Sequence, residues 1–515
     1  MTRPTADRPP PVLGDFSVHD TGKPPKTGEV TRRGVGAVGG WTPLVVAAGA
    51  FALLMAVAGR YGWHRDELYF FEAGRHLSWA YVDFPPVVAG LARLSRELFG
   101  ASLVGLRLWP ALAVGATVLL AAATAVRLGG SRRAAGLAAL ATGLCPAVLG
   151  AGHLLSAATI ELLLWAAITF VVVGLLDGDD ERRWLLLGGL VGIAFLAKHS
   201  VVFLVAALLV GLVTTGRAGV LRSRWLWGGA VIALALAAPN VWWHATHDWP
   251  VLEMLESLSD ESEAVDAFVF VPAQIGMTFL ATVVWLPGLV WLLRSPQSAA
   301  WRSVGVAYLV LVVVLSISGA KPYYLLGMYP VLMAAGGVWW GRRGRTAIPV
   351  TAVAVGSLGA LMALPILSPD RAAEFPSEDL ELEFGAQLGW EELADHVAVA
   401  YGQLTADGDR AVVVTSNYGS AGAVDLYGPA RGVPGGWSPM NHEWLWGPPP
   451  EADDAVIVGF ERDQVEEWFA RCSLEWRFVA PHGVAAEENG GPVWACEGLR
   501  TPWADLWPDL RRYRA

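Results

Sequence analysis

The sequence predicts a polytopic α-helical membrane protein of about eleven spans, followed by a small extracytoplasmic α/β domain. Three observations carry that reading. Of 515 residues, 54% are hydrophobic and 16% charged, where an ordinary soluble chain carries roughly 25% charged residues; the mean hydropathy is +0.43. The apolar excess lies between Trp41 and Leu367, so a single soluble core does not account for it. Arginines also recur at every second connection between apolar runs. The net charge of −10 comes partly from acids near the C-terminal end and gives no nucleic-acid footprint.

Residues 1–40 are rich in Pro, Gly, Thr and charge, and read as a disordered cytoplasmic tail. Forty polar residues before the first apolar run do not make a cleavable leader. Apolar runs follow at 41–59, 103–126, 134–151, 157–176, 184–197, 201–213, 226–243, 267–293, 303–319, 323–340 and 347–367. Arg32 and Arg33 precede the first run. Arg127, Arg132 and Arg133 follow the second, Arg182 and Arg183 the fourth, and Arg217, Arg222 and Arg224 the sixth. Arg294 and Arg302 flank the turn after the eighth, and Arg342, Arg343 and Arg345 follow the tenth. Basic connections stay inside, so the N-terminus is expected in the cytoplasm and residues 368–515 outside, with 41–367 as the membrane part. One long span over 184–213 would put the arginines of 217–224 outside. The charge rule favours two short spans that turn at Lys198-His199-Ser200.

Three segments then share the outer face. The first, 60–100, reads Trp63-His64-Arg65-Asp66-Glu67-Leu68-Tyr69-Phe70-Phe71 and later Tyr81-Val82-Asp83-Phe84-Pro85-Pro86. Its aromatic residues suit a helix lying in the membrane interface. The second, 242–267, carries His244, His247 and Asp248, and the third is Lys321-Pro322-Tyr323-Tyr324. Asp66 and Glu67 follow an apolar run directly, and carboxylates near hydrocarbon are costly. Adjacent helical residues point about 100° apart, so one acid is expected at a site and the other as its brace, through Arg65 or Arg75. A solvated Arg-Asp-Glu turn is the alternative.

The segment His64 to Tyr69, the element Tyr81 to Pro86 and the late Lys321-Pro322-Tyr323-Tyr324-Leu325 with Tyr329-Pro330 resemble the family-39 type membrane glycosyltransferases of the GT-C superfamily. That group includes protein O-mannosyltransferases and the lipid A aminoarabinose transferase. The resemblance covers most of the helical part. It implies a sugar taken from a polyprenyl-phosphate donor on the outer face of the cell membrane and passed to an envelope acceptor, here unidentified. It also implies that Asp66 matches the family's first-loop acid.

Inverting transfer from a lipid phosphate needs one base on the acceptor hydroxyl and cations on the departing phosphate. It needs no second carboxylate as nucleophile. Asp66 is the expected base, with Glu67 beside it. Lys321 is the first choice for the phosphate, followed by Arg65 and Lys198, with Tyr323 and Tyr324 as hydroxyl donors and Asp83 as a further substrate contact. A lysine at a span boundary also serves as a snorkelling anchor, the alternative for Lys321 and Lys198. Glu161, a carboxylate among leucines, is a functional candidate by position; a protonated helix–helix hydrogen bond is its alternative. The resemblance puts an acid there, more often Asp, that helps form the site or hold a divalent metal, and Glu leaves the metal unassigned. His153, His244 and His247 have no spacing that compels metal binding.

Beyond Pro369 the pattern alternates: helix at 390–404, strands at 411–415, 455–458 and 474–479, and helices at 419–427 and 462–470. Asn417-Tyr418-Gly419 and Asn441-His442-Glu443-Trp444 are polar-aromatic loops placed to meet an acceptor or simply to turn the chain. Cys472 and Cys496 form either a disulfide or two buried thiols. A transporter or flippase of a lipid-linked saccharide is the other function class. It is expected to show internal repeats and midplane charges; the chain has no evident repeat, and its charges gather at one interface.

Overall fold

Every apolar run read from the sequence is helical in the computed structural model, which describes residues 38, 40–261, 267–372, 374 and 378–514. The expected tail at 1–40 lies outside the described residues except for 38 and 40. Among those described, five helices are long and apolar enough to cross a membrane: Leu103–Arg127, Ala157–Leu176, Arg224–Thr246, Val269–Arg294 and Pro296–Ile317. Arg132–Gly143 and Pro146–His153 make a sixth if the pair, bent by 55°, counts as one span. The bend falls where Pro146 opens the second piece, since proline supplies no amide to continue the first. Trp41–Val57, Arg183–Ala197, Val201–Thr214 and Ala347–Ala363 are shorter apolar helices.

The turn at Lys198-His199-Ser200 is present. Arg183–Ala197 ends with Lys198 in an extended conformation, and Val201–Thr214 begins after Ser200. At 1.5 Å per residue, neither piece reaches the roughly 30 Å of a bilayer's hydrocarbon. They also pack on different neighbours, the first on Arg224–Thr246 and the second on Arg302–Ile317.

Two short helices, Arg65–Ala73 and Val87–Phe99, build the first loop. His64 caps the first: its Nδ1 accepts the Asp66 amide at 3.1 Å, while its own amide donates to Glu67 at 3.1 Å. Tyr69, Phe70, Phe71, Tyr81 and Phe84 do not form an interfacial surface. They are buried in one core with Trp390, Val413, Tyr418 and Val424 of the C-terminal part. Leu77, Trp79, Leu94, Leu98 and Phe99 are the loop's exposed large apolar groups.

That C-terminal part holds a four-stranded sheet of β1 (Ala411–Thr415), β2 (Asp454–Val458), β3 (Phe469–Arg477) and β4 (Pro492–Leu499), in the order β1-β2-β4-β3. β1 and β2 are parallel, and the other neighbours antiparallel. The helix expected over 462–470 ends at Trp468, because Phe469 and Ala470 already belong to β3. β4 was not anticipated, although Val493-Trp494-Ala495-Cys496 is an apolar run of strand length. Cys472 and Cys496 face each other across β3 and β4 and form a disulfide.

Candidate active site

The two adjacent acids of the first loop separate completely. Glu67 is fully buried and receives Arg107, whose Nη2 donates to Oε2 at 2.7 Å and Nε to Oε1 at 3.1 Å. The amide of Leu155 donates to the same carboxylate at 3.1 Å. Arg107, itself 1% exposed, also donates to the carbonyls of Ala58 and Gly62 at 3.0 and 2.7 Å and to the Gln387 side chain at 3.2 Å. A buried ion pair survives desolvation only when its remaining donors and acceptors are met, and here they are. Glu67 is therefore a brace, working through Arg107 rather than Arg65 or Arg75. Sequence reasoning missed Arg107; a lone arginine four residues inside an apolar helix was the available signal.

Asp66, one residue earlier, keeps 44% of its side chain exposed. It accepts a hydrogen bond from the Tyr418 hydroxyl at 3.0 Å, and Arg65 Nε stands 4.0 Å away. Tyr418 stacks on Tyr69 with centroids 4.4 Å apart. Tyr69 in turn donates to Asp83 at 3.0 Å, and the Asn441 amide donates to the other Asp83 oxygen at 2.9 Å. Both polar-aromatic loops of the C-terminal part thus meet the first-loop acids. Burial pushes the Asp83 carboxyl up to about 7, against the pull of the Tyr69 and Asn441 hydrogen bonds. The Arg65 guanidinium binds Glu487 and lies 3.6 Å from Glu488, so its charge is matched within the protein.

A second group lies on the helical array. Lys198 Nζ is 3.1 Å from Glu161 Oε2, and the Ser200 hydroxyl donates to Oε1. The ammonium faces the rings of Tyr324 at 3.8 Å and Tyr323 at 5.0 Å. Glu161 thus pairs with the Lys198 ammonium and accepts the Ser200 hydroxyl at the start of Val201–Thr214, where a protonated helix–helix hydrogen bond was the alternative. Lys321, three residues before Tyr324, is exposed, and its carbonyl accepts the Tyr324 amide at 3.1 Å. Tyr323 and Tyr324 meet edge to face, with centroids 5.1 Å apart, beside the Lys198 ammonium.

His244 and His247 flank Trp243, whose ring also meets His442 at 5.5 Å, and His244 lies 6.0 Å from His199, whereas His153 stands on another element. His153 pairs with Gln387 at 3.3 Å, His247 lies against the Trp243 carbonyl at 2.8 Å, and His244 is buried. Among the described residues no three His, Cys, Asp or Glu side chains are arranged to hold a metal.

Comparison with known proteins gives matches in sequence and in fold. Residues 83–243 match the family model of dolichyl-phosphate-mannose-protein mannosyltransferases, a stretch that contains Asp83, Glu161 and Lys198. The lipid A galacturonosyltransferase RgtD of Rhizobium johnstonii is 28% identical over 205 residues, 38% of this chain and 42% of that protein. The match thus spans about two fifths of the curated relative. The crystal structure of ArnT from Cupriavidus metallidurans bound to undecaprenyl phosphate aligns with a TM-score of 0.62 at 15% identity, covering 88% of this chain and 97% of that one. Its apo form aligns at 0.61 and 15%, over 88% and 96%. The chain has the fold of a multi-pass membrane protein and resembles the GT-C superfamily of glycosyltransferases.

Proposed function

We propose, from the likeness to GT-C membrane glycosyltransferases, that this protein moves a sugar from a polyprenyl-phosphate donor to an acceptor of the cell envelope. Transfer takes place at the outer face with inversion, and Asp66 is the general base. The observation that supports the assignment is the contrast among Asp66, Glu67 and Asp83 of the first loop. Glu67 and Asp83 have both oxygens engaged by protein donors, whereas Asp66 is nearly half exposed, with a hydrogen bond from Tyr418 and with His64 and Arg65 only at 4.0 Å.

In this reading Asp66 takes the proton of the acceptor hydroxyl as its oxygen attacks the anomeric carbon. The bond from that carbon to the phosphate oxygen breaks on the opposite side, and the polyprenyl phosphate leaves with the electron pair. Lys198 and Lys321 offset the charge that develops on it, while Tyr323 and Tyr324 offer hydroxyl donors. Glu161 holds Lys198 in place beside the tyrosines. The eleven-span topology belongs to the same proposal: residues 1–40 inside, 41–367 as the catalytic membrane domain, and 368–515 outside.

The test is transfer from a labelled polyprenyl-phosphate sugar in membranes carrying wild type or Asp66→Asn. Loss of a general base lowers the rate by roughly 10²–10⁴-fold, and a fall of at least about 10² is expected. Undiminished transfer removes Asp66 as base. Movement of the lipid across liposomes without sugar transfer would replace the enzyme with a flippase.

A further inference from the structure

The C-terminal sheet contains a crevice that the transfer chemistry does not use. β1 and β2 run parallel, but the helices that follow them go to opposite faces. Tyr418–Tyr427, after β1, packs on the face carrying Val413 and Val456, whereas Arg462–Trp468, after β2, packs on the face of Val412, Val414 and Ile457. The carboxyl ends of two such strands form a topological switch point, where open α/β sheets bind ligands. Here a cavity of about 370 Å³ opens, lined by Asn417, Ser420, Glu461, Phe478, Glu487 and Glu488. Gly459, at the end of β2, keeps its mouth open: φ is +78°, and a Cβ there would meet the Ser416 hydroxyl.

One side chain in the cavity points to a missing partner. The Glu488 side chain is 6% exposed, yet its Oε1 has no hydrogen-bond donor among the described residues. Its nearest cation, Arg65 Nη1, stands 3.6 Å away and already binds Glu487. A buried carboxylate oxygen left unmet is costly. Glu487, Glu488 and Asp66 together outweigh the single guanidinium, so the site disfavours an anion. Carboxylates, an amide, a hydroxyl and an aromatic ring together suit the hydroxyls and the apolar face of a sugar.

We propose that this crevice is an acceptor subsite holding a neutral or amino-substituted glycan, a proposal that rests on the transferase reading above. Its link to the reaction is short. Asn417 lines the crevice and Tyr418 touches Asp66, while Arg65 touches Glu487 and precedes Asp66 in the chain. A glycan seated there has its remote sugars held while a terminal hydroxyl reaches the base, the way remote contacts orient a reacting group.

The experiment uses the full chain in lipid nanodiscs and ligand-observed NMR with three probes: mannotriose, a fully deacetylated chitosan trimer and mannose 6-phosphate. At least one trisaccharide binds with a Kd on the order of 1 mM, and mannose 6-phosphate binds at least about ten-fold more weakly, as the loss of a charged hydrogen bond or a repelled anion requires. Glu488→Leu weakens trisaccharide binding by about ten-fold with the melting temperature unchanged. Glu488→Gln, which keeps the shape, weakens it less, and it decides the matter if the leucine variant unfolds. Equal binding by wild type and both variants, no trisaccharide binding by wild type, or tightest binding of mannose 6-phosphate overturns the proposal. None of these touches the Asp66→Asn transfer result, which is read from the donor with acceptors the membrane supplies.

Discussion

Both oxygens of Asp83 are tied to protein donors, yet burial holds its carboxyl up to about 7. An unfolded aspartate titrates near 3.9. Between about pH 4 and pH 7 the folded chain therefore keeps a proton that the unfolded chain has released, and stability falls as pH rises through that window. Below it both forms are protonated and the contribution is complete; above it the loss is complete. Asp83→Asn removes the titration, so its melting temperature is expected to vary less with pH between 4 and 7. A slope as steep as wild type assigns the effect elsewhere. Asp425, also raised to about 7 by burial and by the charge of Glu72, leaves a residual slope of the same sign. At this scale the sequence anticipated that Asp66 and Glu67 face different surroundings, because helix geometry separates neighbours. It could not disclose Arg107 as the partner, which the fold brings from another helix. Lys321 ranked above Lys198 by proximity in the chain to the tyrosines, but Lys198 reaches those rings through a turn between helices.

The contact between helices Arg65–Ala73 and Tyr418–Tyr427 joins the membrane part to the sheet part. Gly419 and Gly422, three apart on one helix face, allow the close approach: a Cβ on Gly419 would lie 2.4 Å from Arg65 Cγ, and one on Gly422 would lie 2.8 Å from Leu68 Cβ. Gly422→Leu forces these helices apart. Overpacking of this kind costs about 1–3 kcal/mol, and thermal denaturation should register a matching fall in melting temperature. Unchanged melting shows that the interface yields without strain. Elements with a strong local period were legible, among them Trp390–Leu404 and β1, whose bounds agree with the sequence reading. β3 was half read because its first residues, Phe469-Ala470-Arg471-Cys472, continue a helical pattern; pairing with β4 decides their state.

Across the whole molecule the arginine pattern gave a direction that hydropathy alone does not, and helix length added a reservation. Eleven runs are helical, and among the described residues five or six helices are long and apolar enough by themselves to cross a bilayer. Periodicity locates the apolar runs but does not fix the helix lengths, which tertiary breaks such as the one at Lys198 decide. An alkaline phosphatase reporter fused after Ala515 is expected to be active, since that enzyme works only outside the cytoplasm. A fusion active only with a cytoplasmic reporter sinks the eleven-span topology. The hydrogen bond from Tyr418 to Asp66 closes a separation of 352 positions, and at about 5–20 residues per second a ribosome needs roughly 20–70 s to cover it. Throughout that interval Asp66 is already in place while the hydroxyl that positions it is still unmade. The contact between the first loop and the sheet part is thus among the last to form during synthesis, and a nascent chain stalled before the sheet leaves Asp66 without its Tyr418 bond.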